Sequence, residues 1–373
     1  MKIRCAKERL IENLGLVGKV VSARTPMPIL ECVLLTADEN GIRLTANDSD
    51  MAIETAYMDA DVQEHGNIAI EARLFTDMVR KMPDSELSIE TGENREAVCK
   101  SGRAKFTLPF FSGEEFPAME QIEDANSYNI PTKEFRDMIR QTIFSVATDD
   151  TRPILMGELI EQKDNALHMV AVDGFRISYK RLDLNEDQRD PFSAVIPGKA
   201  LHELSRILPT NDEENTLTFS LTDKKILFRL PSFTFVSRLL EGEFVRYDQI
   251  FNEDRIIDVT TGRQMLLSSL ERATLVAREN KKSPVKLEIT ESSMIITSNT
   301  ELGTVFDEIQ ATVSGDGELP LEIAFNPKYL MEALKALEEE NILMHFTSNL
   351  SPCIIRGESS ELAKYLVLPL RLY

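Results

Sequence analysis

Apolar and polar positions alternate with changing period along this chain, and the changes recur in the same order. Leu10 to Leu30 reads as an amphipathic helical segment that ends in the apolar stretch Pro28-Ile29-Leu30. Phe135 to Leu155 repeats it, ending in Pro153-Ile154-Leu155, 125 positions later. Each segment is followed by strand-like alternation, CVLLTADENGIRLTAND and then GELIEQKDNALHMVAVDG. Asn40-Gly41 and Asp164-Asn165 sit where those hairpins must turn. A more diverged copy starts near Gln264: the helical QMLLSSLERATLVARE, then two short strands about Glu291-Ser292.

Each copy has a second half. Ile68-Ala69-Ile70 predicts a strand that feeds a helix over Ala72 to Met82. Ala194-Val195-Ile196 does the same for Lys199 to Leu208, and Leu321-Glu322-Ile323 for Pro327 to Leu337. Further alternating strands follow every one of these helices. The expectation is an α+β chain of three similar domains, 1–125, 126–252 and 253–373, each with two helices packed on antiparallel sheets. Domains with open strand edges can join edge to edge, and closed rings are one stable result.

The second helices align residue by residue. Arg73, Lys199 and Lys328 occupy equivalent places, and seven residues later come Arg80, Arg206 and Lys335. Positions i and i+7 lie about 20° apart around a helix, so each helix carries a basic pair on one face. The apolar residues fall opposite: Leu74, Phe75, Met78 and Met82, then Leu201, Leu204 and Leu208, then Leu330, Leu334 and Leu337. Two readings stay open. Asp77, Glu203 and Glu332 lie inside the pairs and could make ordinary surface ion pairs. Alternatively the pairs form a cationic lining for a polyanion, joined by Lys19, Arg24, Arg136, Arg140, Arg272 and Arg278 near the first helices.

Charge complicates the second reading, because the formal net charge is −20. A protein that coats nucleic acid with its whole surface is excluded by that balance; a local basic stripe is not. No apolar run reaches the roughly 18 residues of a membrane span, and the N-terminus lacks the apolar core of a signal peptide. Cys5, Cys32, Cys99 and Cys353 are too scattered for a zinc site and read as reduced thiols of a cytoplasmic protein. His65, His168, His202 and His345 are equally dispersed. No nucleophile elbow, P-loop or HExxH motif appears, so neither metal nor cofactor nor catalysis is expected. Competing readings are an acidic repeat scaffold that recruits only proteins and a hydrolase whose carboxylates converge in the fold.

The opening strand and helix, SARTPMPIL (Ser22 to Leu30), AVDGFRIS (Ala171 to Ser178), LEGEF (Leu240 to Phe244) and YLVLPLRL (Tyr365 to Leu372) resemble the sliding-clamp family, the beta subunits of bacterial DNA polymerase III. The resemblance covers the whole chain. It implies two chains joined head to tail in a ring of six domains that encircles duplex DNA without reading its sequence, with helices lining the hole. It implies a processivity factor whose partners are the replicative polymerase, the clamp loader and other proteins with a clamp-binding motif. The basic row would face DNA, and Arg24 and Arg73 match family DNA contacts; Pro153-Ile154 stands where some members have tyrosines. A peptide pocket is implied at Leu155, Val172, Gly174, Phe175, Arg176, Ile177 and Ile250, with Leu366, Leu368, Pro369, Leu370, Arg371 and Leu372. Val245 replaces a common proline, Phe175 a common histidine and Gln249 an arginine of some members, and Tyr373 is an extra terminal residue. The implied dimer contact sets Phe106 and Leu108 against Leu275 and Val276, and Arg103 and Lys105 against Glu301, Asp307 or Glu308.

Overall fold

The computed structural model describes residues 1–22, 25–92, 94–119, 127–184, 191–210, 216–252, 256–276 and 284–371. It divides into two compact units, Met1–Phe135 with Lys199–Leu239, and Arg136–Gly198 with Leu240–Tyr373. Six α-helices are present among the described residues: α1 (Lys7–Val17), α2 (Ala72–Lys81), α3 (Thr132–Thr142), α4 (Gly198–Ile207), α5 (Arg263–Thr274) and α6 (Pro327–Ala336). Local chemistry explains their starts. Glu71 caps α2 by accepting from the backbone N–H groups of Arg73 and Leu74, and Asn326 caps α6 through the N–H of Lys328. Pro327 fits the first turn because that turn has no use for its missing N–H.

The first unit holds two antiparallel sheets. One has five strands, from Ala60–Glu64 at one edge to Ala104–Pro109 at the other. The second has nine strands, and its centre is a seam: Met51–Thr55 pairs with Phe233–Arg238, Ala52 opposite Val236. The second unit repeats the plan. In its nine-stranded sheet Arg176–Asp183 pairs with Ala363–Val367, Ser178 opposite Tyr365. Its four-stranded sheet has Gly303–Gln310 at one edge. Each seam joins strands from different sequence repeats, because a strand edge left open inside a large sheet would strand its N–H and C=O groups.

Helices cover the sheets through the predicted apolar faces. Phe75, Met78, Met82, Leu201, Leu204, Leu208, Leu330, Leu334 and Leu337 are buried. Leu74 departs from the expectation: it is 51% exposed, since it lies one residue from Arg73 and so only about 100° around the helix from it. Leu108 departs the other way. It is 5% exposed: Phe106 and Leu108 lie on the same face of their strand, and that face is covered at Leu108 but left open at Phe106. At the hairpin tips Asp164 and Asn165 both take positive φ, as the tight turn between Gly157–Lys163 and Ala166–Val172 demands. The four cysteines are buried and free. Burial pushes the thiols of Cys5 and Cys99 up to about 12, which leaves them unreactive. Among the described residues no cluster of potential ligands could hold a metal, and no helix is long and apolar enough to cross a membrane.

One buried group lacks compensation. Glu158 lies wholly inside the second unit, and neither carboxylate oxygen has a hydrogen-bond partner among the described residues. The nearby Thr142 hydroxyl donates instead to the carbonyl of Met138 at 2.6 Å. Burial therefore raises the Glu158 carboxyl to about 8. Folded Glu158 keeps its proton up to that pH, whereas the unfolded chain releases it near the ordinary value of 4.5. Stability must then fall as pH rises through this window and level off above it. Relative to Glu158→Gln, the native chain should lose on the order of a few kcal/mol between about pH 5 and pH 8, measured as the difference in urea midpoints.

Candidate functional site

The six residues of the basic row, Arg73, Arg80, Lys199, Arg206, Lys328 and Lys335, are all exposed. Their electrostatic surroundings differ. In the first unit α1 and α2 pack side by side, and a cleft of about 510 Å³ runs between them. Lys19, Arg73 and Arg80 line it together with Leu14, Thr76 and Asp77. Arg73 and Arg80 have no ion-pair partner among the described residues, so the internal-pair reading fails for α2. Their charges stay available to a ligand, on a surface whose lining acids are Glu31, Glu71 and Asp77. Glu71 is already committed to capping the helix.

On α4, Arg206 pairs with Glu203 at 3.1 Å, and Lys199 reaches Asp48 at 2.6 Å. On α6, Lys328 lies 3.9 Å from Glu332, and Lys335 meets Glu271 of α5 at 3.2 Å. Arg140 on α3 binds Asp137 and Glu338, and Arg136 is half-buried. The cations of the row are exposed in each case, and the Lys335–Glu271 pair, exposed on both sides, is of the kind worth about 0–1 kcal/mol, whereas the Asp48 carboxylate that holds Lys199 is itself buried. The row is thus repeated in sequence but graded in charge, with α2 the least neutralised helix. Arg24 lies outside the described residues.

The second candidate is apolar and belongs to the second unit. Leu155, Val172, Ile177 and Leu366 gather in one cluster with Leu159, Val170, Val195, Tyr247 and Ile354. They are buried, so they form the floor of a surface and do not themselves project from it. Leu366 is a core residue of the strand Ala363–Val367. The accessible apolar atoms belong to side chains packed over this floor: Ile154, Leu240, Phe244, Val245 and Ile250. Of these only Ile250 is among the pocket residues expected from sequence. Ile154 lies in the short 3-10 turn Pro153–Met156, and the others occupy irregular segments with no period to reveal which side is buried.

The turn at Asp173–Arg176 borders the same face. Gly174 takes φ +87°, open space surrounds the place of its missing Cβ, and Asp173 accepts from the N–H groups of Phe175 and Arg176. Phe175 is 51% exposed and stacks on Tyr329. Arg176, expected at the pocket, is 7% exposed. Its guanidinium is buried, bound to Asp173, Glu332 and the carbonyl of Phe144, and lies 4.4 Å over the Tyr329 ring. It braces the turn. Leu368 leaves the last strand by donating its N–H to the carbonyl of Phe175, and Leu370 donates to Ala324. Leu368 and Arg371 are exposed, and Pro369 and Leu370 half-buried. Leu372 lies outside the described residues.

Two open strand edges make the third feature. Ala104–Pro109 ends the five-stranded sheet of the first unit, with Arg103, Lys105 and Phe106 exposed. Gly303–Gln310 ends the four-stranded sheet of the second unit and carries Asp307 and Glu308, with Glu301 just before it. Leu275 is 80% exposed at the end of α5, and Val276 is half-buried. Phe306, 67% exposed in mid-strand, and Leu302, 57% exposed, are further apolar groups here that the sequence pattern did not single out. Alternation along Gly303–Gln310 predicts two faces but not which one lacks a covering layer. Asp307 is engaged by Arg272, and Glu308 accepts from Ser293.

Residues 1–120, 129–245 and 248–371 match the family models for the N-terminal, central and C-terminal domains of the DNA polymerase III beta subunit. The beta sliding clamp of Bacillus subtilis is 34% identical, and that of Halalkalibacterium halodurans 32%, with 100% and 98% of both chains covered. The crystal structure of the Bacillus subtilis sliding clamp superposes with a TM-score of 0.95 at 34% identity, over 100% of each chain. A Pseudomonas aeruginosa clamp bound to griselimycin gives 0.92 at 27%, also over 100% of each. The three domain matches, in order and along nearly the whole chain, show that it belongs to the DNA polymerase III beta subunit family, the bacterial sliding clamps.

Proposed function

We propose that the chain is a non-catalytic processivity factor of DNA replication, working in the cytoplasm, which closes with a second copy into a ring around duplex DNA. The observation that carries this reading is the basic pair repeated on α2, α4 and α6, least neutralised on α2, in a chain of net charge −20. Acid elsewhere repels DNA from the outside, while a few cations suffice for a molecule that is topologically held. Contacts confined to phosphates are independent of sequence and let the protein slide. The functional domains are 1–125, 126–252 and 253–373.

Ring closure is assigned to the two open strand edges. One is flanked by Arg103, Lys105 and Phe106, the other by Glu301, Asp307, Glu308, Leu275, Leu302 and Phe306. Opposite charge and exposed apolar groups on different surfaces favour a head-to-tail contact, which forms rings when its rotation closes. The apolar face over Leu155 and Leu366 receives short peptides of the replicative polymerase, the clamp loader and other partners, through hydrophobic anchors.

Replacing Arg73, Arg80, Lys199 and Arg206 by Glu should sharply reduce retention on nicked circular DNA. It should also flatten the salt dependence, by about 0.9 in log–log slope for each phosphate that is no longer neutralised. Unchanged retention would end the DNA-lining assignment. Phe306→Asp should weaken dimerisation by at least about tenfold, as a buried charge at an apolar contact demands, read by sedimentation velocity. Deleting 368–373 should abolish binding of a polymerase-derived peptide while the sedimentation coefficient of the dimer is preserved.

A further inference from the structure

The stretch from Leu240 to Phe251 supplies Leu240, Phe244, Val245 and Ile250 to the apolar face, yet it has almost no regular structure. Apart from the short turn Ile250–Asn252, no ladder of hydrogen bonds fixes it. Such a segment would pay a large ordering entropy on each binding event unless something else held it. Tyr247 is its one deeply buried side chain. The phenol donates to Glu161 on the strand Gly157–Lys163, and burial, reinforced by that bond, holds it well above its ordinary value, so it stays a donor. Lys163, two residues along the same strand, places its ammonium 4.7 Å from the centre of the Tyr247 ring. The same ammonium binds Glu161 at 2.8 Å and Asp248 at 2.9 Å. Two adjacent residues of the irregular segment are thereby gripped by two residues of one strand.

A second layer backs this grip. The Tyr179 ring packs on Tyr247 and Phe251, with centroids 5.7 Å apart in both cases. Tyr179 is held by His168, whose Nδ1 lies 2.8 Å from the phenol oxygen and whose Nε2 lies 3.3 Å from the carbonyl of Lys163. A carbonyl only accepts, so the hydrogen-bond network assigns the proton to Nε2, and Nδ1 accepts from Tyr179. Burial lowers the His168 pKa, which favours this neutral form.

We infer that Glu161, Lys163, Tyr247 and Asp248 form a latch of positioning residues that preorganises the wall of the peptide-binding face, so that residues out of reach of the peptide set how tightly it is held. The inference rests on the assignment of that face as a peptide site. Latch and floor share the strand Gly157–Lys163, which carries Leu159 on the same side as Glu161. Loosening Tyr247 therefore frees the wall while the floor stays packed.

The test measures binding of a short fluorescein-labelled peptide with leucine and phenylalanine anchors to the full chain, beside melting temperature and retention on circular DNA. Tyr247→Phe keeps the ring and its contact with Lys163, and leaves Glu161 still paired with Lys163, so the fold should survive. Affinity should drop about fivefold, mainly through faster dissociation, with melting and DNA retention unchanged. Glu161→Leu should weaken binding at least as much. Glu161→Gln, whose amide oxygen still accepts from the phenol, should recover most of the affinity. Lys163→Met should also weaken binding. Wild-type affinity in all four variants, or reductions that merely track melting temperature and include Glu161→Gln equally, would overturn the latch and leave the peptide site standing. No binding by the native chain, or binding unaffected by deleting 368–373, would overturn the peptide site and the latch with it.

Discussion

The requirement that strand edges be paired organises this molecule. Each repeat makes antiparallel sheets whose outer strands expose rows of backbone donors and acceptors. Four of those edges are satisfied within the chain, at the two seams that set Ala52 opposite Val236 and Ser178 opposite Tyr365. The seams lengthen four short sheets into two of nine strands and give the helices broad surfaces on which to pack. The strands Ala104–Pro109 and Gly303–Gln310 keep one open edge each, and their flanking charges are opposite in sign. In the proposed ring, the edge pairing that joins repeats within one chain would also join one chain to the next.

Helix packing converts this sheet plan into a charged surface. Burial of residues such as Phe75, Met78, Leu204 and Leu334 fixes the rotation of each second helix, and rotation alone decides that the basic pair faces out. Neutralisation is then graded by neighbours. Asp48 and Glu271, distant in sequence from the helices they meet, take up Lys199 and Lys335, whereas Arg73 and Arg80 meet no such acid among the described residues. Net charge describes none of this, because −20 is a sum and the field at a surface depends on placement.

The apolar face proposed as the peptide site is built from parts of unequal order. Its floor is ordinary hydrophobic core. Its rim combines the end of the last strand with a turn braced by Arg176, whose buried charge is tolerated because Asp173, Glu332, the carbonyl of Phe144 and the Tyr329 ring all receive it. The irregular segment through Tyr247 completes it, held by side-chain bonds where backbone ladders are missing.

Much of this was legible in the order of residues. Repeat spacing and the switch between helical and strand periods located the three repeats, the six helices and the aligned basic pairs, because those depend on local periodicity. Family resemblance then pointed to Leu155, Val172, Ile177 and Leu366, and the structure gathers them. What the sequence could not say is which side of a residue meets solvent where period is weak or layers are missing. Leu74 and Phe306 are exposed, Leu108 and Arg176 are buried, and Glu158 is a carboxyl shut inside a core. Each outcome depends on side chains far away in sequence that cover or fail to cover the position. Local pattern determined the elements; only tertiary packing decided which of their surfaces remain open for use.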